Sequence, residues 1–167
     1  MPVKLEKHLS ISETDRALLR RAIALAATAR EHGNHPFGAL LADADGNILV
    51  EAENTVITEH DLTGHAETNL IRAGSRQLAP DVLAAATLYT STEPCAMCAG
   101  AIYWSGVSRV IFGLSASRLT QLVDGTSEKT LTLTAERVLN SGGRHVTVIG
   151  PVLEEEALAV HLGFWKP

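Results

Sequence analysis

At 167 residues, with 46% hydrophobic and 20% charged side chains, the chain has the size and make-up of one globular domain, which excludes an intrinsically disordered or fibrous protein. A net charge of -5 and four scattered lysines (Lys4, Lys7, Lys129, Lys166) provide no basic stripe and argue against nucleic acid as a partner. The opening MPVKLEKHLSISETD has no apolar segment of the secretory kind, and the longest run free of Asp, Glu, Lys and Arg, Pro94 to Ser108, falls short of the ~18 residues of a membrane span; a cytoplasmic protein with no membrane partner is expected.

In chain order, Ser12-Glu13-Thr14-Asp15 reads as a helix start, because serine can cap an orphan amide while the acids suit the positive end of the helix dipole. Leu18, Leu19, Ala22, Ile23, Ala26 and Ala29 then recur at steps of three and four, predicting an amphipathic helix down to about Arg30. Phe37 to Ala42 is short enough for a strand, Asp45-Gly46 is a two-residue hairpin signal, and Ile48 to Ala52 supplies the returning strand. Thr55 to Gly64 is polar and reads as irregular. Ala66, Asn69, Leu70 and Ala73 predict a second helix with Gly74 near its end. Thr87 to Ser91 is a strand candidate, and Cys95 to Trp104 a helix opened by Pro94. Val107 to Leu114 predicts a strand, Leu119 to Val123 and Thr134 to Leu139 helices, His145 to Ile149 a strand, and Glu154 to Leu162 a last helix with an acidic first turn. Alternating helices and strands after a hairpin point to one α/β domain, 1–167, with three α/β/α layers around a mixed sheet.

Three residues stand out as metal ligands. His65 opens the second predicted helix, and Cys95 and Cys98 are three apart on one face of the third, near the positive end of its dipole. Cys-x-x-Cys alone also occurs in redox dithiols, and a lone histidine is more often structural; their joint occurrence favours a metal. A structural zinc site is closed by four protein ligands, whereas three leave a position for water, which zinc acidifies from a pKa of about 15.7 toward ~7. One Zn2+ per subunit, with a bound water or hydroxide, is therefore expected. Glu67, two residues after His65, faces away from that ligand on a regular helix and is free to move protons beside the metal.

The segments His65-Ala66-Glu67 and Pro94-Cys95-Ala96-Met97-Cys98 match the zinc deaminase signature. With Asp61-Leu62-Thr63-Gly64 before the first and Ala99-Gly100-Ala101-Ile102-Tyr103-Trp104 after the second, the chain resembles the cytidine deaminase-like superfamily. Within it the likeness is strongest to nucleobase (guanine deaminase-like) enzymes, with the tRNA adenosine deaminases beside them. The resemblance covers roughly Pro36 to Phe112 and implies a five-stranded mixed sheet, a homodimer, and Glu67 as the catalytic proton shuttle. It implies that Phe37 stacks on the base, that Asn54 anchors its edge, and that the backbone of Ala66 contacts it. Asp124 lies where guanine deaminases carry acids that read guanine, although Leu122-Val123-Asp124-Gly125-Thr126 does not reproduce their pattern.

Trp104 is also a substrate-binding candidate, with a subunit contact as its alternative. Phe164 and Trp165 are two rings almost at the chain end, where something should cover them. By resemblance, the segment from about 153 to 167 is read as an aromatic lid over this or a neighbouring subunit's site, or else as docked on its own core. The substrate class implied is a small amino-substituted heterocycle, with guanine and isocytosine-like 2-amino rings foremost, then other aminopurines, aminopyrimidines and triazines. The alternatives are deamination of the tRNA wobble adenosine and a non-catalytic zinc-binding module on the same fold.

Overall fold

The computed structural model describes residues 10–123 and 129–165. Helix α1 (Glu13–Glu31) begins with a capping box in which the Ser12 hydroxyl accepts from the Asp15 amide while the Asp15 carboxylate accepts from the Ser12 amide. The hairpin follows as β1 (Gly38–Ala42) and β2 (Ile48–Glu53), antiparallel, with Gly46 in the left-handed region at φ 85° as the tight turn requires. Then come α2 (Val56–Glu59), α3 (Ala66–Gln77), α4 (Pro80–Ala85), β3 (Thr87–Thr92), α5 (Ala96–Ser105), β4 (Arg109–Leu114), α6 (Ala116–Val123), α7 (Ala135–Leu139), β5 (Thr147–Ile149) and α8 (Glu154–Ala159).

The five strands form one mixed sheet in the order β2-β1-β3-β4-β5. β1 is antiparallel to both β2 and β3, while β3, β4 and β5 run parallel. Two apolar clusters cover its faces. Leu41, Leu88 and Val110 pack with residues of α3, α5 and α7 on one side, and Leu40, Tyr89 and Ile111 with residues of α1 and α8 on the other. Adjacent Leu40 and Leu41 are both fully buried because successive strand residues point to opposite faces and both faces are covered. Each such side chain contributes about 1.5–3 kcal/mol on burial. The three-layer α/β/α reading is thus observed.

Some local readings are corrected. The stretch read as irregular contains the single-turn helix α2, and α4 was not foreseen. As expected, Gly74 lies near the end of the second helix, which closes at Gln77; a side chain there would lie 3.0 Å from Leu41 and 3.3 Å from Leu83, so the glycine also admits a close approach of α3 to β1 and α4. The last helix stops at Ala159 rather than Leu162, and the last strand begins at Thr147 rather than His145.

At the N-terminal ends of β3 and β4 the layers are tied by a buried ionic contact. The Arg109 guanidinium grips Asp15 on both oxygens at 2.9 and 3.1 Å, and the Tyr89 hydroxyl donates to Asp15 at 2.6 Å. Burial pushes the Asp15 carboxyl up, but Arg109, Tyr89 and Ser12 outweigh it and hold the group below the usual carboxylate range.

Candidate active site

The topology gathers the ligands predicted from the sequence. Because β2 and β3 are each antiparallel to β1, they run in the same direction and end on the same edge of the sheet. The chain leaves β2 toward the start of α3, where His65 is the N-cap, and leaves β3 directly into the start of α5, where Cys95 is the N-cap. Neither cap side chain bonds its own helix. Two helix N-termini, each with its positive dipole end, therefore meet, and Cys98 sits one turn into the second.

His65 Nδ1 lies 3.6 Å from Cys95 Sγ and 3.5 Å from Cys98 Sγ. A tetrahedral zinc ~2.05 Å from nitrogen and ~2.3 Å from sulfur requires N···S edges of about 3.6 Å, so the donor set fits that ion. Among the described residues the cluster has these three donors, all within 4.8 Å of one another. Thr68 Oγ1 lies 3.3 Å from Cys98 Sγ and orients it. The Cys98 S–H and the His65 imidazole lower the Cys95 thiol, and that same contact together with burial pushes Cys98 up. The pair shares a proton that a divalent cation would replace, leaving two thiolates.

Glu67 is buried in the first turn of α3, and its Oε1 accepts from the Thr90 hydroxyl at 3.0 Å. Burial, and then the negative charge of Cys95, push its carboxyl up. Thr90 comes from the central strand, 23 residues further along, and no local signal in the sequence could have paired the two.

Beside the cluster is a cavity of about 300 Å³. His65, Cys95 and Pro94 form its floor, Phe37, His35 and Trp165 one wall, and Leu119, Leu131 and Leu133 another. Glu93 lines it as well, and its two oxygens accept from the amides of Ala116 at 2.9 Å and Ala135 at 3.2 Å, the first residues of α6 and α7. Burial, and then the nearby His65, hold the pKa of the His35 ring below its ordinary value.

The other candidates divide. Phe37 and Trp165 both line the cavity with ring centroids 6.1 Å apart, and Phe164 packs behind Trp165 at 4.9 Å. The terminal aromatics thus dock on this same chain, and Trp165 reaches the cavity wall. Ala66 is fully buried next to His65. Asn54 is buried, but its Oδ1 closes a turn by accepting from the Val56 amide, and it is not in the cavity wall. Trp104 is 86% exposed on α5 and is not among the residues that line the cavity of this chain, while its neighbour Tyr103 packs against the core. Asp124 lies outside the described residues. The acidic turn Glu154-Glu155-Glu156 is structural, as it pairs with Ser115, Arg118 and Arg20.

Residues 12–114 match the family described as the cytidine and deoxycytidylate deaminase zinc-binding region. The chain is 43% identical over 159 residues to a probable cytosine deaminase of Schizosaccharomyces pombe, covering 93% of this chain and 94% of that one. It is 42% identical over 104 residues to the tRNA-specific adenosine deaminase of Haemophilus influenzae, covering 62% of this chain and 60% of that one. In fold it matches a solved guanine deaminase from Nitrosomonas europaea with a TM-score of 0.74 at 22% identity, over 96% of this chain and 91% of that one. With both motif halves in the matched span and their side chains brought together, the chain belongs to the cytidine and deoxycytidylate deaminase zinc-binding family and is a hydrolase acting on the C–N bond of an amino-substituted nucleobase or nucleoside.

Proposed function

We propose that the protein deaminates a free nucleobase, with a 4-aminopyrimidine of the cytosine type foremost and 2-amino rings such as guanine and isocytosine next. The observation that carries this reading is the cavity: about 300 Å³, at the small end of ligand pockets, walled by Phe37, Leu119, Leu133 and Trp165 above His65 and Cys95. Such a chamber suits a single flat ring, and the likeness to the S. pombe protein runs through nearly the whole chain. Charge supports the same reading, since a net -5 opposes a polyanionic substrate.

His65, Cys95 and Cys98 would hold one zinc, which when bound supplies an acidified water at neutral pH. Glu67 takes one proton from the attacking water and gives it to the ring nitrogen, then takes the second from the hydroxyl that the water has become and gives it to the departing amine, so that a C–O bond forms, a C–N bond breaks and ammonia leaves. Thr90 fixes the carboxylate for that task. Phe37 and Trp165, tilted 51° to one another with centroids 6.1 Å apart, stand side by side in the cavity wall, where they offer apolar surface to the ring and exclude water. Neither Asn54, whose Oδ1 accepts from the Val56 amide, nor Ala66 lines the cavity, and no contact with the base is assigned to them.

Ammonia release from zinc-loaded protein should be screened against cytosine, isocytosine, guanine, adenine, their nucleosides and aminotriazines. Turnover of a free base is the expected result. Inosine formation in tRNA fragments with no reaction on any base would establish the second reading, which the H. influenzae relative favours.

We also propose a homodimer joined through α5. Met97, Gly100 and Trp104 share its outer face; Met97 and Trp104 are exposed, Gly100 has open space above it, and the helix carries no charge to repel a second copy. A stripe with a small residue midway between two large ones is self-complementary in an antiparallel pair. Trp104→Asp should convert the dimer to a monomer in light scattering; a wild-type monomer would refute it. A reducing compartment such as the cytoplasm suits Cys95 and Cys98 as thiolate ligands.

A further inference from the structure

We infer that Arg30 and His161 are positioning residues that fasten the C-terminal segment so that Trp165 stands in the cavity wall; the inference rests on the proposed role of Trp165 against the base. Two separate sets of contacts converge on the six residues 160–165. Arg30, in the last turn of α1, donates from Nη1 to the carbonyls of Val160 at 2.9 Å and Leu162 at 2.8 Å, and its guanidinium lies 5.6 Å from the centroid of the Phe164 ring. Gly163, at φ 71°, then turns the chain back on itself. The Trp165 indole N–H donates to His161 Nδ1 at 3.0 Å, with the two ring planes 14° apart. Nearly coplanar rings suit this bond, because the imidazole lone pair and the indole N–H each lie in their own ring plane.

His161 is 1% exposed, and since Nδ1 accepts, its Nε2 carries the proton. That Nε2 is buried without a partner among the described residues. A phenylalanine in its place would avoid an orphaned donor at no loss of apolar packing, so the imidazole is useful for what Nδ1 does. What Nδ1 does is set the rotation of the indole. The Phe37 ring, 5.3 Å away, and the His35 ring, 5.5 Å from Trp165, complete the enclosure. Arg30 thus fixes where the segment runs, and His161 fixes which way its last described ring faces.

Trp104 and Trp165 are the two tryptophans of the chain, so in a Trp104→Phe background indole emission and acrylamide quenching report Trp165 alone. His161→Phe and Arg30→Met are expected to red-shift that emission and raise the quenching constant. They should also lower kcat/KM on the base substrate by about tenfold, the worth of roughly one hydrogen bond, mainly through KM and with zinc content unchanged. His161→Gln, whose amide oxygen can accept the indole proton, should recover both readouts. Arg30→Lys, which keeps the charge but not the fork, gives a second reading should His161→Phe not fold. Emission and quenching unaltered in the Arg30 and His161 variants would overturn the inference. Altered emission with unaltered KM would instead uphold the fastening and overturn the reading of Trp165 as a substrate contact.

Discussion

Removing the Glu93 carboxylate should loosen both helices that wall the cavity at once. One oxygen accepts from the Ala116 amide at 2.9 Å and the other from the Ala135 amide at 3.2 Å, so a single side chain starts α6 and α7. A hydrogen bond to a charged acceptor contributes about 1.5–3 kcal/mol, and the partly exposed site puts both near the low end, so Glu93→Ala should cost about 3–4 kcal/mol. For a domain of this size that is a fall in Tm of about 6–16 °C. Glu93→Gln keeps one acceptor and turns an amide N–H toward a backbone N–H, so about half the loss is expected. Calorimetry on zinc-loaded protein measures the fall. Because Leu119 lies within α6 and Leu133 just before α7, KM should rise in parallel. A Glu93→Ala protein with unchanged Tm and KM would refute the reasoning, and one that had lost its zinc would show instead that Glu93 acts through its neighbour Cys95.

Glu67→Gln should retain zinc by elemental analysis yet lose turnover by at least about a hundredfold, the usual worth of a positioned proton carrier. Gly38→Ala should destabilise by about 3 kcal/mol or more in urea unfolding, since its Cβ would fall 2.5 Å from the backbone O of Ala22 and N of Ala26, and neither can move without displacing α1. Acid should act through His161. Burial, and then the facing charge of Arg30, depress its pKa from 6.5 to about 4, so the unfolded chain binds this proton first and stability falls as pH drops from 6.5 to 4. The shift corresponds to about 3 kcal/mol, and a His161→Phe protein should lack that part of the slope when unfolding free energy is followed across the window.

How far the sequence could be read depended on the range of each interaction. The Ser12 cap acts within four residues and stands as expected; the Asp45-Gly46 signal marks the hairpin, but the turn is closed one residue earlier, by the Gly46 amide on the Asp43 carbonyl, with Gly46 alone of the two at positive φ. His65, Cys95 and Cys98 were identifiable because three rare donor types coincided in short motifs, although 30 residues separate the first two. Helices α2 and α4, of four and six residues, are too short to show a periodicity. Asp15 was legible as a helix-start acid, but not as the hub that binds Tyr89 and Arg109, 74 and 94 residues away. Gly74 was legible as a sign that the helix is near its end, but not as the point where α3 closes on Leu41 and Leu83, which only the packing shows. Trp165 similarly gave no sign of which copy's cavity it would join; the Arg30 contacts across 130 and 132 residues determine that.

The reversal of direction at β1 separates two kinds of evolutionary freedom. The metal donors depend on where β2 and β3 end, which the hydrogen-bonded ladder on either side of β1 holds rigidly. Among the described residues, most of the cavity wall comes from 116–123, 129–133 and Trp165, outside that ladder. Grafting those stretches from a relative with another ring preference should therefore retune selectivity while the reaction itself survives. A lineage could diversify its diet by rewriting surface loops without reinventing its chemistry.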